Sequence, residues 1–325
     1  PGAPEVSSAA GAGRLARGED GGYAWVRRAN GPEDRIRRLE ASGATLAACS
    51  AGGYVYDGAW VGLRHVQDMC AATCLVSAKE AERMGPGLLA RRTAWFRHAS
   101  GAALNVALER ARAGLPVALV SAASAYDVGG GFEVGGRHAL EEALCMQTTL
   151  FQSLLIASTQ ARLQGVVPPA SCRPCRQADG SPWRCHVPED GAVLTPCVEV
   201  FRGGTEEGYP FLPSAVRLGA IVSVAMPNLN LRVTGCPVDA PTDRREYLAL
   251  LTQKLTAALG AAARAGALAL VVPDLGCGAL GNDPRAVGRA LGSALQRHFP
   301  RAFAELHLVG QSAFAAAAEA AGRAY

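Results

Sequence analysis

Long apolar runs are missing from this chain. The longest, such as ALALVV at 267–272, have the length of a buried strand, whereas a membrane-spanning helix needs about 20 residues. No secretory signal is visible, although the chain begins at Pro1 rather than Met and anything upstream is unread. Aromatic residues make up only 6%, so the core has to be built largely from Ala, Val and Leu. No long Lys/Arg run occurs, and the net charge is only +4. That balance suits an anionic ligand but not sequence-specific nucleic-acid binding. Neither Gly-rich stretch continues into Gly-Lys-Ser/Thr, which excludes a P-loop, and neither forms the dinucleotide fingerprint in a strand-to-helix frame. What remains is 325 residues at 49% hydrophobic, enough for one large domain or two smaller ones with an ample core. The expectation is a soluble, intracellular monomer.

Residues 1–20 read as a flexible arm, and 33–48 as a helix. Two β-rich pieces joined by Asp57-Gly58 predict a hairpin over 52–63. From residue 101 strands and helices alternate. A helix over 101–114 stops at Gly114, and a buried strand follows at 116–121. A Gly-rich loop then leads into a helical pattern from about 139 to 160. A Pro/Cys-rich irregular region covers 165–190. Strands are expected at 197–201, 220–227, 267–273 and 305–310. Between them lie a helix capped by Thr242 or Asp243 and stopped by Gly266, and another with Asn282 or Asp283 at its N-cap and Pro284 at N1. This alternation predicts an α/β fold whose mainly parallel sheet is covered on both faces. The division expected is an accessory region at 21–100, a core at 101–318 and a tail at 319–325. Both Gly-rich loops, 129–136 and 276–281, follow predicted strands, so they should share the carboxyl edge of the sheet, where such folds bind ligands.

The stretch DVGGGFEVGGRHALEEALC, residues 127–145, combines two features that stability disfavours: glycines in a row and adjacent carboxylates. Gly129, Gly130 and Gly131 present successive N–H groups with no Cβ in the way, which suits an anion or a sugar hydroxyl; a flexible turn explains them equally. GCGALG at 276–281 is a second such loop. The helix after it brings a partial positive charge suited to phosphate. Glu141 and Glu142 point about 100° apart on a helix. One can protrude toward the glycines while the other orders the loop or grips a hydroxyl, or both merely complement the helix dipole.

Gly-Gly-Gly, eight residues, and then a Glu pair followed by ALC and TTLFQSL resembles the signature of the microbial-type poly(ADP-ribose) glycohydrolases, which is Gly-Gly-Gly, six to eight residues, Gln-Glu-Glu. The likeness extends to TLAACSAGGYVYDGAWVGL, AVLTPCVEVFRGG, EGYPFL, IVSVAMPN and VVPDLGCGALGNDPRAVGRAL, covering roughly residues 33–318. The resemblance implies a three-layer, macrodomain-like α/β/α sandwich with an N-terminal helical extension. It also implies a glycosidase that cleaves ribose–ribose O-glycosidic bonds of poly(ADP-ribose), alone or on ADP-ribosylated proteins, and releases ADP-ribose. Carried over, Glu142 is the acid and then the base, with a raised pKa supplied by burial and the Glu141 charge. Glu141 holds ribose hydroxyls. Asp127, Gly129, Gly130, Gly131 and Phe132 line the distal ribose, and Gly276, Cys277, Gly278, Ala279, Leu280 and Gly281 cradle the diphosphate. The chain departs from the family at Leu140 (Gln), Ser121 (often Asn), Val128 (often Pro) and Leu280 (often aromatic). Those departures favour one alternative, an ADP-ribose reader that has lost turnover; a hydrolase of mono-ADP-ribose is a further alternative.

Cys172 and Cys175 form C-x-x-C, followed by Cys185-His186 and Cys197. Zinc on Cys172, Cys175, Cys185 and His186 is chemically conceivable. Adjacent Cys185 and His186 are hard to place on one ion, however, and no second C-x-x-C exists, so free thiols and no cofactor are expected. His65, His98, His138, His298 and His307 show no ligand spacing, though His138 lies near the proposed pocket.

Overall fold

The structure, a computed structural model, describes residues 32–84, 95–136, 139–233 and 235–323. The arm expected at 1–20 and His138 lie outside the described residues. Helix α1 (Pro32–Ala51) leads into the hairpin β1 (Gly53–Tyr56) and β2 (Ala59–Gly62). Asp57 and Gly58 both take positive φ at its turn, 47° and 75°, the backbone that a tight hairpin requires.

Next come α2 (Val66–Ala72), β3 (Cys74–Ser77), α3 (Ala78–Met84), β4 (Trp95–Ala99), α4 (Ala103–Arg112) and β5 (Val117–Ala122). A 3-10 segment at Val128–Val134 precedes α5 (Leu140–Gln147) and α6 (Leu150–Leu163). The helical pattern expected over 139–160 is therefore two helices. Thr148, at φ −139° and ψ 175°, is extended and bridges to Val200, so the chain turns between them. Strands β6 (Gly191–Pro196), β7 (Glu199–Arg202), β8 (Phe211–Arg217) and β9 (Ala220–Val224) follow. The chain then runs through α7 (Arg244–Arg264), β10 (Ala269–Pro273), α8 (Pro284–His298), β11 (Glu305–Val309) and α9 (Ser312–Gly322). Asp243 and Asp283 cap α7 and α8, accepting from the N–H of Arg245 and Arg285.

The main sheet has seven strands in the order β3-β6-β9-β5-β10-β11-β4. It is mixed: β9, β5, β10, β11 and β4 are mutually parallel, and β6 is antiparallel to both neighbours. Alternation along β5 shows the three layers. Ala118 and Val120 face a cluster with α3, α7, α8 and α9, whereas Val117 and Leu119 face one with α1, α2, α4, α5 and α6. Scarce aromatics are compensated by close packing of small side chains. Ala257, Ala258, Ala261 and Ala262 of α7 are all buried against the sheet, and at such density each methyl group matters.

Two boundaries differ from the expected division. Strands β3 and β4, placed with the accessory region, are the two edges of the central sheet, so residue 100 separates nothing. Helix α9 runs through 319 to Gly322 and packs on the rest through buried Phe314, Ala315 and Ala318. No helix among the described residues is long and apolar enough to cross a membrane.

Candidate active site

Strands β5 and β10 are adjacent and parallel, so the loops that follow them share the carboxyl edge of the sheet, as expected. The first loop is tied down at Ser124, whose Oγ accepts from the N–H groups of Tyr126 (3.2 Å) and Asp127 (3.0 Å). The Asp127 carbonyl then accepts from the Gly130 N–H at 3.0 Å. Gly129, Gly130 and Gly131 have φ of 71°, 64° and 86°, three left-handed residues in succession. L side chains rarely adopt that backbone. Beneath them Phe132 is fully buried, its ring centroid 5.0 Å from that of Phe151.

The Glu pair sits in the first turn of α5, with Ala139 at the N-cap. Both carboxylates are buried, at 2% exposure for Glu141 and 8% for Glu142. Glu141 Oε2 accepts from the Ser124 N–H at 2.7 Å, and its Oε1 is buried without a partner. Burial holds the Glu141 carboxyl well above the usual range, against the pull of the Ser124 N–H, and the neighbouring Glu142 and Asp127 add to the rise. Glu142 instead lies over the glycine turn. A Cβ built on Gly130 would stand 2.7 Å from its Oε1 and 2.8 Å from its Cδ. Burial, seconded by the Asp127 charge, pushes its pKa from 4.5 to about 8, while backbone N–H groups of Glu142 and Ala139 and the Arg38 guanidinium pull the other way. Asp127 is itself pushed up by burial. Glu141 and Glu142 thus share a desolvated corner with the more exposed Asp127 at its rim, and like charges so close disfavour one another's ionisation.

Arg38 comes from α1, and its Nε reaches the Gly135 carbonyl at 3.4 Å. Helix α1 is anchored by Thr45, which donates to the Met146 carbonyl (2.8 Å), and by the buried Arg202, which donates to the Ala41 carbonyl (2.7 Å) and to Thr45 Oγ1 (3.1 Å). Arg202 Nε also holds the Tyr209 carbonyl at 2.7 Å. Tyr209 is buried with φ 58°, and burial, with a smaller push from the Glu142 charge, raises its phenol pKa.

The second loop turns at Gly276 and Gly281, with φ of 68° and 76°. Among the described residues no backbone carbonyl accepts from the N–H groups of Gly278, Ala279 or Leu280, which leaves three donors for an anion. The contribution expected from the helix after it is shared with a cap of its own. Asp283 already caps α8 with a carboxylate, which satisfies an N–H of the first turn and neutralises its partial positive charge.

Residues 42–166 match the family model for the catalytic domain of microbial-type PARG. The structure is similar to poly(ADP-ribose) glycohydrolase (PARG) from Thermomonospora curvata, at 24% identity and TM-score 0.64, covering 89% of this chain and 100% of that one. It is similar to the same protein bound to the inhibitor ADP-HPD, at 23% identity and TM-score 0.63, with 89% and 100% covered. It also resembles PARG from Deinococcus radiodurans in complex with ADP-ribose, at 26% identity and TM-score 0.57, with 81% and 99% covered. The matched segment, 42–166, holds both the glycine turn and the Glu pair. No curated protein sequence matches the chain.

Against the PARG signature, the residues expected at the site divide. Asp127, Gly129, Gly130, Gly131 and Glu142 come together. Phe132 does not join them: with no exposed surface, it supports the turn from below. Glu141 lies behind the turn, with Oε2 on the Ser124 N–H and Oε1 unpaired. Leu280 is half-buried against the core, with Cys277 beside it donating to the Leu275 carbonyl (3.5 Å). Gly278, Ala279 and Gly281 are exposed. A cleft of about 260 Å³ opens between Gly281, Asp283, Leu229 and the start of α7, and Glu142 does not line it. Ser121, at the position where the family often has Asn, is fully buried with its hydroxyl unpaired.

All ten cysteines are free thiols. No three His, Cys, Asp or Glu residues among the described ones are arranged to hold a metal. Cys172 contacts the Tyr126 hydroxyl (3.2 Å), and the Cys185 thiol is pushed up to about 12 by burial. His186 is held neutral, its pKa near 4, by burial, with Nε2 unpartnered. Sequence reasoning missed Arg38, Ser124 and Tyr209, because none stands in a motif; only the fold brings them to the carboxylates.

Proposed function

We propose that this chain hydrolyses ribose–ribose O-glycosidic bonds of poly(ADP-ribose) and releases ADP-ribose, with Glu142 as the acid and then the base. The observation that carries this reading is the Glu142 carboxyl resting on Gly130, at the mouth of a turn that only glycine can form. Desolvated to a pKa of about 8, the group is protonated at neutral pH and can donate to the leaving ribose oxygen as positive charge develops at the anomeric carbon. The carboxylate left behind then takes a proton from water, whose oxygen bonds to that carbon. Asp127 keeps the local field negative, which favours both the neutral acid and the cationic transition state. The unpaired N–H groups of Gly278, Ala279 and Leu280 are suited to the diphosphate. Glu141, through Ser124, holds the first turn in shape.

A second reading, an ADP-ribose-binding module without turnover, is favoured by Leu140, which offers no hydrogen bond where the family signature has a Gln. Purified protein incubated with labelled polymer separates the two. Release of ADP-ribose, reduced by roughly 10²- to 10⁴-fold in Glu142→Gln, supports hydrolysis. Calorimetric ADP-ribose binding without any release supports the module instead.

A further inference from the structure

Two glycine turns act on one ligand only if their separation is held. Strands β9, β5 and β10 are neighbours in the sheet, and the loop that follows β9 links the loops that follow the other two. Its centre is Asp239, which is 9% exposed. Asp239 Oδ2 accepts from the Tyr126 hydroxyl at 2.7 Å, and Oδ1 accepts from the Asn228 N–H at 2.6 Å.

On one side, Tyr126 immediately precedes Asp127 and is bonded through its own N–H to Ser124, the residue that Glu141 holds. On the other side, the fully buried Asn228 accepts from the Asn230 N–H through Oδ1 at 2.9 Å. Asn230 Nδ2 then donates to the Ala279 carbonyl at 2.8 Å. Leu229 reinforces the junction by donating to the Leu280 carbonyl at 3.0 Å. Asn282 ties the same two loops again, with Nδ2 donating to the carbonyls of Pro227 (2.9 Å) and Gly276 (3.1 Å). The chain of bonds from Glu141 to Ala279 is continuous, and Asp239 is the link where it crosses from the β5 loop to the β9 loop.

The Asp239 carboxylate has little freedom to swing. Its own N–H donates to the Asn228 carbonyl at 3.2 Å, and its carbonyl accepts from the Ser171 hydroxyl. Two donors arrive at two separate oxygens, which a carboxylate can accept and a carboxamide cannot, because one of its two termini is itself a donor.

We propose that Asp239 is a positioning residue for ligand binding: by holding Tyr126 and Asn228 at once, it sets the first glycine turn at a fixed distance from the second. This rests on the reading of the chain as an ADP-ribose-binding hydrolase. The platform of strands does not depend on Asp239, but the relative placement of the loops above it does. Losing the link weakens the grip on a ligand that spans both turns equally in the ground and transition states, so KM rises and kcat holds.

The test compares wild type, Asp239→Asn and Tyr126→Phe for calorimetric ADP-ribose binding, for kcat and KM on labelled polymer, and for melting temperature. Asp239→Asn is expected to weaken ADP-ribose binding and raise KM by about tenfold, the scale of one charge-assisted hydrogen bond, with kcat within about twofold. Tyr126→Phe, which keeps the ring and removes one arm, is expected to act in the same direction by about threefold. Binding and KM unchanged in Tyr126→Phe, with only the melting temperature lowered, overturns the inference while leaving the hydrolase reading intact. So does a fall in kcat at constant KM in either variant. Wild-type protein that neither binds ADP-ribose nor cleaves polymer overturns both. Should Asp239→Asn fail to fold, Tyr126→Phe decides alone.

Discussion

The Glu142 carboxyl group rests on Gly130 so closely that a Cβ at that position would stand 2.7 Å from Oε1. Gly130→Ala therefore faces two penalties. Its φ of 64° is strained for alanine, at a cost of about 1 kcal/mol or more, and its methyl group displaces the proposed acid. A displacement of about 1 Å costs roughly 100-fold in rate, so polymer hydrolysis should fall by that order in Gly130→Ala. Gly165→Ala is the control: it has φ 71° with nothing within 4 Å of its Cβ. It should lose similar stability in thermal melts and keep its activity.

The raised pKa of Glu142 predicts a pH profile. The acid form acts, so log kcat/KM should decline with unit slope as pH rises through about 8, and a profile flat through that range would rule out Glu142 as the titrating acid. The same shift affects stability. The folded carboxyl binds its proton more tightly than the unfolded one, so stability from this group is full below about 4.5 and lost as pH rises to about 8. Glu142→Gln cannot ionise. Its melting temperature should rise relative to wild type between pH 4.5 and 8 and keep a constant lead above that.

Glu141 and Glu142 should separate by substitution. Glu141→Ala removes the acceptor of the Ser124 N–H and leaves that donor in a buried loop, at a cost of about 1–3 kcal/mol. Urea unfolding should show that loss. Glu142→Ala takes an acceptor from the N–H groups of Ala139 and Glu142 but also removes a desolvated carboxyl, so it should unfold near the wild-type urea midpoint while losing activity.

Metal removal should leave the protein unchanged. Zinc binds thiolates, and the Cys185 and Cys236 thiols, both raised to about 12 by burial, stay protonated at neutral pH. Exhaustive dialysis against a chelator should alter neither the melting temperature nor polymer hydrolysis, and elemental analysis should find less than stoichiometric zinc.

The parts of the fold legible in sequence were those whose signal is local. Strands β5, β9, β10 and β11 announce themselves because burial on both faces demands continuous apolar runs, and α7 and α8 because Asp243, Gly266, Asp283 and Pro284 stand at cap positions. Edge strands β3 (CLVS) and β4 (WFRHA) pass unnoticed because one edge meets solvent and the pattern relaxes. The break at Thr148 is equally silent, since its cause is a bridge to Val200, some fifty residues away. At the site the glycines and the Glu pair were readable as a motif. Which carboxylate faces the turn was not, because it depends on where Ser124 lies. Phe132 misled for a simple reason: an aromatic beside a ligand loop looks the same in sequence whether it lines the pocket or props it from below.

The placement of β4 has a consequence for how the molecule is made. Among the described residues its partner in the sheet is β11, paired from Trp95↔Glu305 to Ala99↔Val309. A ribosome has released β4 long before β11 exists, so through most of synthesis that segment waits with its backbone groups unmatched. Contacts spanning such a stretch of chain close late and slowly. The sheet is thus completed only when its last strand emerges, and a nascent chain stalled short of residue 305 leaves the facing sides of β10 and β4 without their shared partner.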